Sequence, residues 1–313
     1  DFFLGQKSVQ TETAALAKTI ETLQSEGDEI SSIWISGGRD GQYDVYLDRD
    51  GESRTVRIDG SGARIRDRSD ANRFSDGAIF ETLTQFHKSL MLDSTGYLFL
   101  TISGLLLISN ISLGRLKAFT KASSVPAAAA LSGWHWRVGF WGAIPALCII
   151  LAGTALTQSD LLANGLSVEQ KTPESQKPAP THIVDLGTAM DVALGEYPGS
   201  SLVAINLPSE NRQWYKFRLK APGEMPRLYG ATRVFVGLDG TVLLDHDAAN
   251  SAPEERVIES LYPLHTGQIG GLFGRLINAA AGIWLLFMIA LGVQLWLARR
   301  RGQGATKSPP GGE

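Results

Sequence analysis

A chain of 313 residues with 29 basic and 32 acidic side chains has a formal net charge of −3, so it offers no overall basic field to a nucleic acid partner. Its single cysteine, Cys148, excludes a disulfide within the chain and a thiolate metal cluster. The hydrophobic fraction of 43% is ordinary as an average, but the apolar residues gather in three blocks and the rest of the chain is polar.

In chain order, residues 9–26 set Ala14, Ala15, Leu16, Ile20 and Leu23 at helical spacing, with Gly27 as a stop. Strand-like runs follow at 32–36, 42–47 and 53–58, broken by Gly37-Gly38, Asp50-Gly51 and Gly60. The clearest hairpin is YDVYLDRDGESRTVRID, with Asp50-Gly51 at its turn. The first apolar block, YLFLTISGLLLISNISL at 97–113, predicts a membrane span over 94–113. The second, VGFWGAIPALCIILAGTALT, predicts a span over 138–157 with a kink at Pro145. A Pro/Lys/Ser linker occupies 170–180. A helix is then expected at 185–196 and strands at 202–206, 213–219, 232–237 and 241–244, with Asp239-Gly240 as a further turn. The third block, LFGRLINAAAGIWLLFMIALGVQLWL, predicts a span over 272–297, and Ala279, Ala280, Ala281 and Gly282 suit close packing on another helix.

Basic residues in short flanks set the orientation. Arg115, Lys117, Lys121 and Arg137 lie between the first two spans, and Arg299, Arg300, Arg301 and Lys307 follow the third. The loop 114–137 and the tail 298–313 are therefore expected to be cytoplasmic, and residues 1–93 and 158–271 periplasmic, in a bacterial inner membrane. Trp134, Trp136, Trp141 and Trp296 fall where an aromatic belt would lie.

The two soluble regions follow one plan: helix, strands, then a histidine, a glycine nine residues later, and a span. His87 and Gly96 fill those positions in the first region, His265 and Gly274 in the second. The expectation is an internal duplication. The second copy has a span on each side, which predicts a further span before Asp1; a cleaved signal peptide is the alternative.

Several segments carry a family resemblance. LYPLHTGQIGGLFGRLINAAAGIWLLFMIALGVQLWLARR at 261–300 resembles the closing segment of the PepSY-associated transmembrane proteins, also called iron-regulated membrane proteins, which include ferric-siderophore reductases. FHKSLMLDSTGYLFLTISGLLL at 86–107 resembles their middle segment, with Phe86 and Lys88 in place of Leu and Arg. WHWRVGFWGAIPALCIILAGTAL at 134–156 resembles the start of another of their spans, with Trp134 in place of Leu before His135. The resemblance implies an α-helical membrane protein with two α+β PepSY-like periplasmic regions, built as a span-PepSY-span duplication.

Three of the five histidines, His87, His135 and His265, stand beside span ends. Such a residue has two readings: an interfacial hydrogen-bonding group, or an axial ligand to haem iron. His87 and His265 are equivalent in the repeat and both periplasmic, which suits a bis-histidine haem b. His135 lies on the cytoplasmic side. Two haems would make an electron path across the bilayer, and the resemblance implies reduction of a periplasmic ferric siderophore. Arg275 is open to two readings, a partner for a haem propionate or an interfacial anchor. Gly267, Gly270, Gly271 and Gly274 suit either close approach of a macrocycle or helix packing; with no preceding strand they do not make a phosphate loop. No flavin or nicotinamide fingerprint is present, so the electron donor is expected to be the quinone pool or a reductase. His182 and His246 are read as local structural residues, and Asp245-His246-Asp247 as a weak metal candidate. The competing functions are a non-enzymatic PepSY scaffold and an accessory subunit of an iron or siderophore uptake system.

Overall fold

The computed structural model describes residues 10–69, 79–117, 126–169, 171–174 and 183–305. The chain forms two compact units, one from residues 1–87 and 163–259 and the other from 88–162 and 260–313. His182, Lys121, Lys307 and most of the linker 170–180 lie outside the described residues.

The first unit holds α1 (Thr13–Ser25), α6 (Leu186–Glu196) and eight strands: β1 (Glu29–Ile35), β2 (Gln42–Arg49), β3 (Glu52–Asp59), β4 (Arg64–Ser69), β5 (Ser201–Asn206), β6 (Trp214–Lys220), β7 (Thr232–Gly237) and β8 (Val242–His246). The two regions that the sequence separates share one antiparallel sheet, in the order β4-β3-β2-β1-β5-β6-β7-β8. The halves join where β1 meets β5, through Ile33↔Ile205 and Trp34↔Ala204. Each half alone would expose its first strand as an open edge, and the pairing removes both edges at once. Strand β4, Arg-Ile-Arg-Asp-Arg-Ser, is an addition to the predicted set. Its charged residues give no apolar alternation, and as an edge strand it needs little.

Alternation puts Ile33, Tyr43, Val45, Val56, Ile58, Phe217, Leu219, Val234 and Val236 on one face, where they pack with Leu16, Ile20 and Leu23 of α1 and Met190 and Ala193 of α6. The turns are as their residues demand: Asp50 and Gly51 both have positive φ, at 56° and 82°, as a two-residue type I′ hairpin requires. At the other turn only Gly240 does, at 82°.

Tyr43 is fully buried in this core, with its hydroxyl 2.7 Å from Thr11 Oγ1. Burial pushes its phenol up to about 12. An unfolded tyrosine releases its proton near pH 10, so between about pH 10 and 12 the unfolded chain binds fewer protons and stability falls as pH rises. Two units correspond to roughly 2–3 kcal/mol. Urea unfolding at pH 9 and pH 11.5 should show a loss of that order, and Tyr43→Phe should reduce it.

The second unit holds α3 (Asp93–Lys117), α4 (Pro126–Thr157) and α8 (Gly271–Ala305), with α4 packed against both others. All three are long and apolar enough to cross a membrane, over Ser94–Leu113, Ala130–Thr157 and Gln268–Arg301. Trp141 and Ile283 are 79% and 70% exposed, an arrangement suited to lipid rather than water. The loop assigned to 114–137 is shorter than expected: residues 114–117 continue α3, and α4 starts at Pro126. Proline suits a first helical turn and the alanines after it propagate the helix, so the helix outruns its hydropathy signal. Helix α4 also runs unbroken through Pro145. Helix α8 likewise extends into the tail, to Ala305. Short helices α2 (Ile79–Ser89), α5 (Ser159–Gly165) and α7 (Pro253–His265) complete the fold; α2 and α7 carry His87 and His265 in their last turns.

Candidate functional site

Helices α4 and α8 run antiparallel with small residues between them. A Cβ added at Gly139 would meet Met288, one at Gly142 would strike the Trp284 indole, and one at Gly292 would approach His135. Ala143, Ala146 and Ala281 are buried in the unit. This is the close packing that small residues allow between membrane helices.

Two rings dock on α4 in the same way. His265, at the end of α7, places Nδ1 2.9 Å from the carbonyl oxygen of Ile149, and Trp284 Nε1 donates to the carbonyl oxygen of Val138 at 2.9 Å. Four residues beyond each acceptor stands a glycine, Gly153 or Gly142, whose Cβ would collide with the ring. Each missing side chain opens a notch through which the ring reaches a carbonyl already inside the helix ladder. A carbonyl only accepts, so Nδ1 of His265 carries a proton and donates it. The His265 carbonyl in turn accepts from Asn278 Nδ2 of α8 at 2.5 Å. The sequence marks His265 as a span-end histidine, but neither Asn278 nor either glycine dock was predicted; a docked ring is visible only once the placement of α7 and α8 against α4 is known.

The other candidates are dispersed. His135 lies on α4, roughly 27 Å from Gly153 at 1.5 Å per residue, near the opposite end of that helix. Its Nδ1 is buried with no hydrogen-bond partner among the described residues. His87 is exposed on α2, in the part of that helix that belongs to the first unit. Arg275 is exposed in the first turns of α8 and has no ion pair among the described residues. Three of the four glycines serve the backbone: a Cβ at Gly274 would strike the Gly267 carbonyl, and Gly267 and Gly271 have φ of 71° and 57°, while Gly270 has open space at its Cβ. Asp245, His246 and Asp247 diverge, to the Tyr197 hydroxyl, to Glu259 at 2.7 Å, and to Ala249 N and Asn250. No group of three metal-ligating side chains occurs among the described residues.

Haem, which the resemblance implies, can be tested against these groups. An axial imidazole keeps its proton on the nitrogen away from the metal and gives it to a carbonyl or carboxylate, which fixes the ring. His265 meets that requirement through Ile149. The orphaned His135 Nδ1 is a polar atom at membrane depth, which is costly without a partner. Both fit the group.

Among solved structures, the chain is similar to a protein described as a lipoprotein from Clostridium difficile 630, at 11% identity and a TM-score of 0.28, over 78% of this chain and 97% of that one. No curated protein matches it. The profile of the PepSY-associated TM region matches residues 5–299, and the chain belongs to that family.

Proposed function

We propose that this chain is a haem b protein of the bacterial inner membrane that passes electrons outward to a periplasmic ferric siderophore, as part of iron acquisition. The observation that carries the reading is the Nδ1 hydrogen bond of His265 to Ile149, which orients an imidazole as a haem ligand requires. Bound haem supplies a one-electron Fe(III)/Fe(II) couple. The chain supplies His265, with His87 as its counterpart in the repeat, on the periplasmic side and His135 on the cytoplasmic side. Arg275 is the candidate for a propionate partner. Each electron delivered reduces one chelated Fe(III) to Fe(II), and the quinone pool or a reductase replaces it. The matching order of helix, four strands and histidine-bearing helix in the two halves supports an internal span-PepSY-span duplication.

A reduced-minus-oxidised spectrum of the intact protein in nanodiscs tests this reading. Haem b bands are expected, and His265→Ala should remove one component. A spectrum without bands sinks the reading. The alternative, a non-enzymatic PepSY scaffold or an accessory subunit of an iron or siderophore uptake system, draws on Trp284: an indole that ligates no metal uses the same dock, so the geometry also serves packing.

A further inference from the structure

Helix α2 leaves an apolar stripe exposed. Ile79, Leu83 and Phe86 recur at i, i+4 and i+7, so they line one side of the helix, and each is more than half exposed. Thr84 and Lys88 fall on the opposite side and are exposed too, while Thr82 and Ser89 are buried. Three large apolar side chains in one line are costly to leave in water. The helix is too short to bury them by crossing a bilayer: its 11 residues reach roughly 16 Å, against about 30 Å of hydrocarbon.

The backbone fixes where this helix ends. The Ser89 carbonyl presses on Gly96, where a Cβ would fall on it, and Gly96 already lies inside the span that begins at Ser94. The last turn of α2 therefore stands beside the first turn of α3, at the level where hydrocarbon begins. Phe86 is less than one turn before Ser89, so the stripe starts at that level as well.

The second copy repeats the pattern. With His87 aligned on His265, Ile79, Leu83 and Phe86 correspond to Val257, Leu261 and Leu264 of α7. Val257 and Leu264 are exposed as well, and only Leu261 is covered by the protein. Helix α7 also ends beside its span, because the Gly267 carbonyl presses on Gly274, within Gln268–Arg301. Consecutive spans alternate in direction, so the start of α3, the end of α4 and the start of α8 share one side of the membrane. There α5 follows α4 directly and leaves Leu161 70% exposed. A partner protein has no reason to meet equivalent positions of both copies, whereas a bilayer meets both alike.

We propose that α2 and α7 are interfacial helices whose apolar sides seat in the boundary between lipid headgroups and acyl chains, with α5 as a third contact on the same side of the membrane. The occupant of the stripe is lipid, held by apolar burial, so no particular headgroup is required. The seating holds the last turns of α2 and α7, and the histidines in them, at a fixed depth. It does not depend on what those histidines ligate.

Spin-label accessibility on the intact protein in phosphatidylcholine nanodiscs tests the seating. Nitroxides are attached to single cysteines in a Cys148→Ala background, at Leu83→Cys and Val257→Cys. Leu286→Cys, on the exposed side of α8, is the reference in lipid, and Glu52→Cys, at the β2–β3 turn, the reference in water. The labels on Leu83→Cys and Val257→Cys should meet a water-soluble nickel chelate about fivefold less often than the label on Glu52→Cys, and meet oxygen more often than it does. Lys88→Cys, on the far side of α2, should behave like Glu52→Cys. Phe86→Cys reads the same stripe if Leu83→Cys fails to fold. Nickel access on the stripe equal to that of Glu52→Cys would place it in water and overturn the proposal. Low access to both reagents would place a further helix or another protein over the stripe and overturn it equally.

Discussion

Gly153→Ala should detach His265 from Ile149 and, with it, remove one haem component from the reduced spectrum. The new Cβ would stand 2.5 Å from His265 Cε1 and 2.7 Å from Nδ1, closer than real side chains approach. The ring cannot swing aside cheaply, because its backbone carbonyl is held by Asn278 and its Nδ1 by Ile149. Overpacking of this kind costs about 1–3 kcal/mol, and the lost hydrogen bond adds roughly 1 kcal/mol. Gly142→Ala provides the matched control. It evicts Trp284 from Val138 by the same collision, so its stability loss should be similar, but it should leave the spectrum intact. Thermal midpoints and difference spectra of the two variants separate the readings. Equal midpoint losses with identical, unchanged spectra would assign the His265 dock to helix packing alone.

That pair of glycines also marks the limit of what the sequence discloses. Hydropathy locates all three long helices, because about twenty apolar residues have no other economical use. Asp50-Gly51 locates a hairpin, because consecutive positive φ angles select such a pair. In both cases the information is local. Gly142 and Gly153, by contrast, read as two more small residues in a span until Trp284 of α8 and His265 of α7 are brought to them by the fold. The union of the two soluble regions is hidden for the same reason. It rests on Ile33↔Ile205 and Trp34↔Ala204, residues remote in the chain whose types suit any buried strand. Strand β4 is hidden differently: its stability comes from cross-strand charge, as between Arg54 and Asp67, and not from an apolar face.

The histidine-to-glycine spacing, legible from the start, proves to be backbone architecture. In each copy the residue two past the histidine presses its carbonyl against the glycine nine past it: Ser89 on Gly96, and Gly267 on Gly274. A Cβ at either glycine would fall on that carbonyl, and backbone cannot give way as the end of a side chain can. Gly96→Ala and Gly274→Ala should therefore force open the reversal that joins the short helix to the span, at a cost of 2 kcal/mol or more on the scale of ~1–3 kcal/mol for a residue that does not fit. Gly282→Ala, with open space at its Cβ and a helical backbone, should be neutral or slightly stabilising. The two reversals differ in how they turn. The second uses Gly267 and Gly271 at positive φ, while the first places Leu90 and Met91 there, at 51° and 59°. Each of those side chains costs roughly 1 kcal/mol in that region, so Leu90→Gly and Met91→Gly should raise the thermal midpoint, which few glycine substitutions do. A lowered midpoint in both, or an unaffected one in Gly96→Ala, would mean that the shared spacing does not reflect a shared turn.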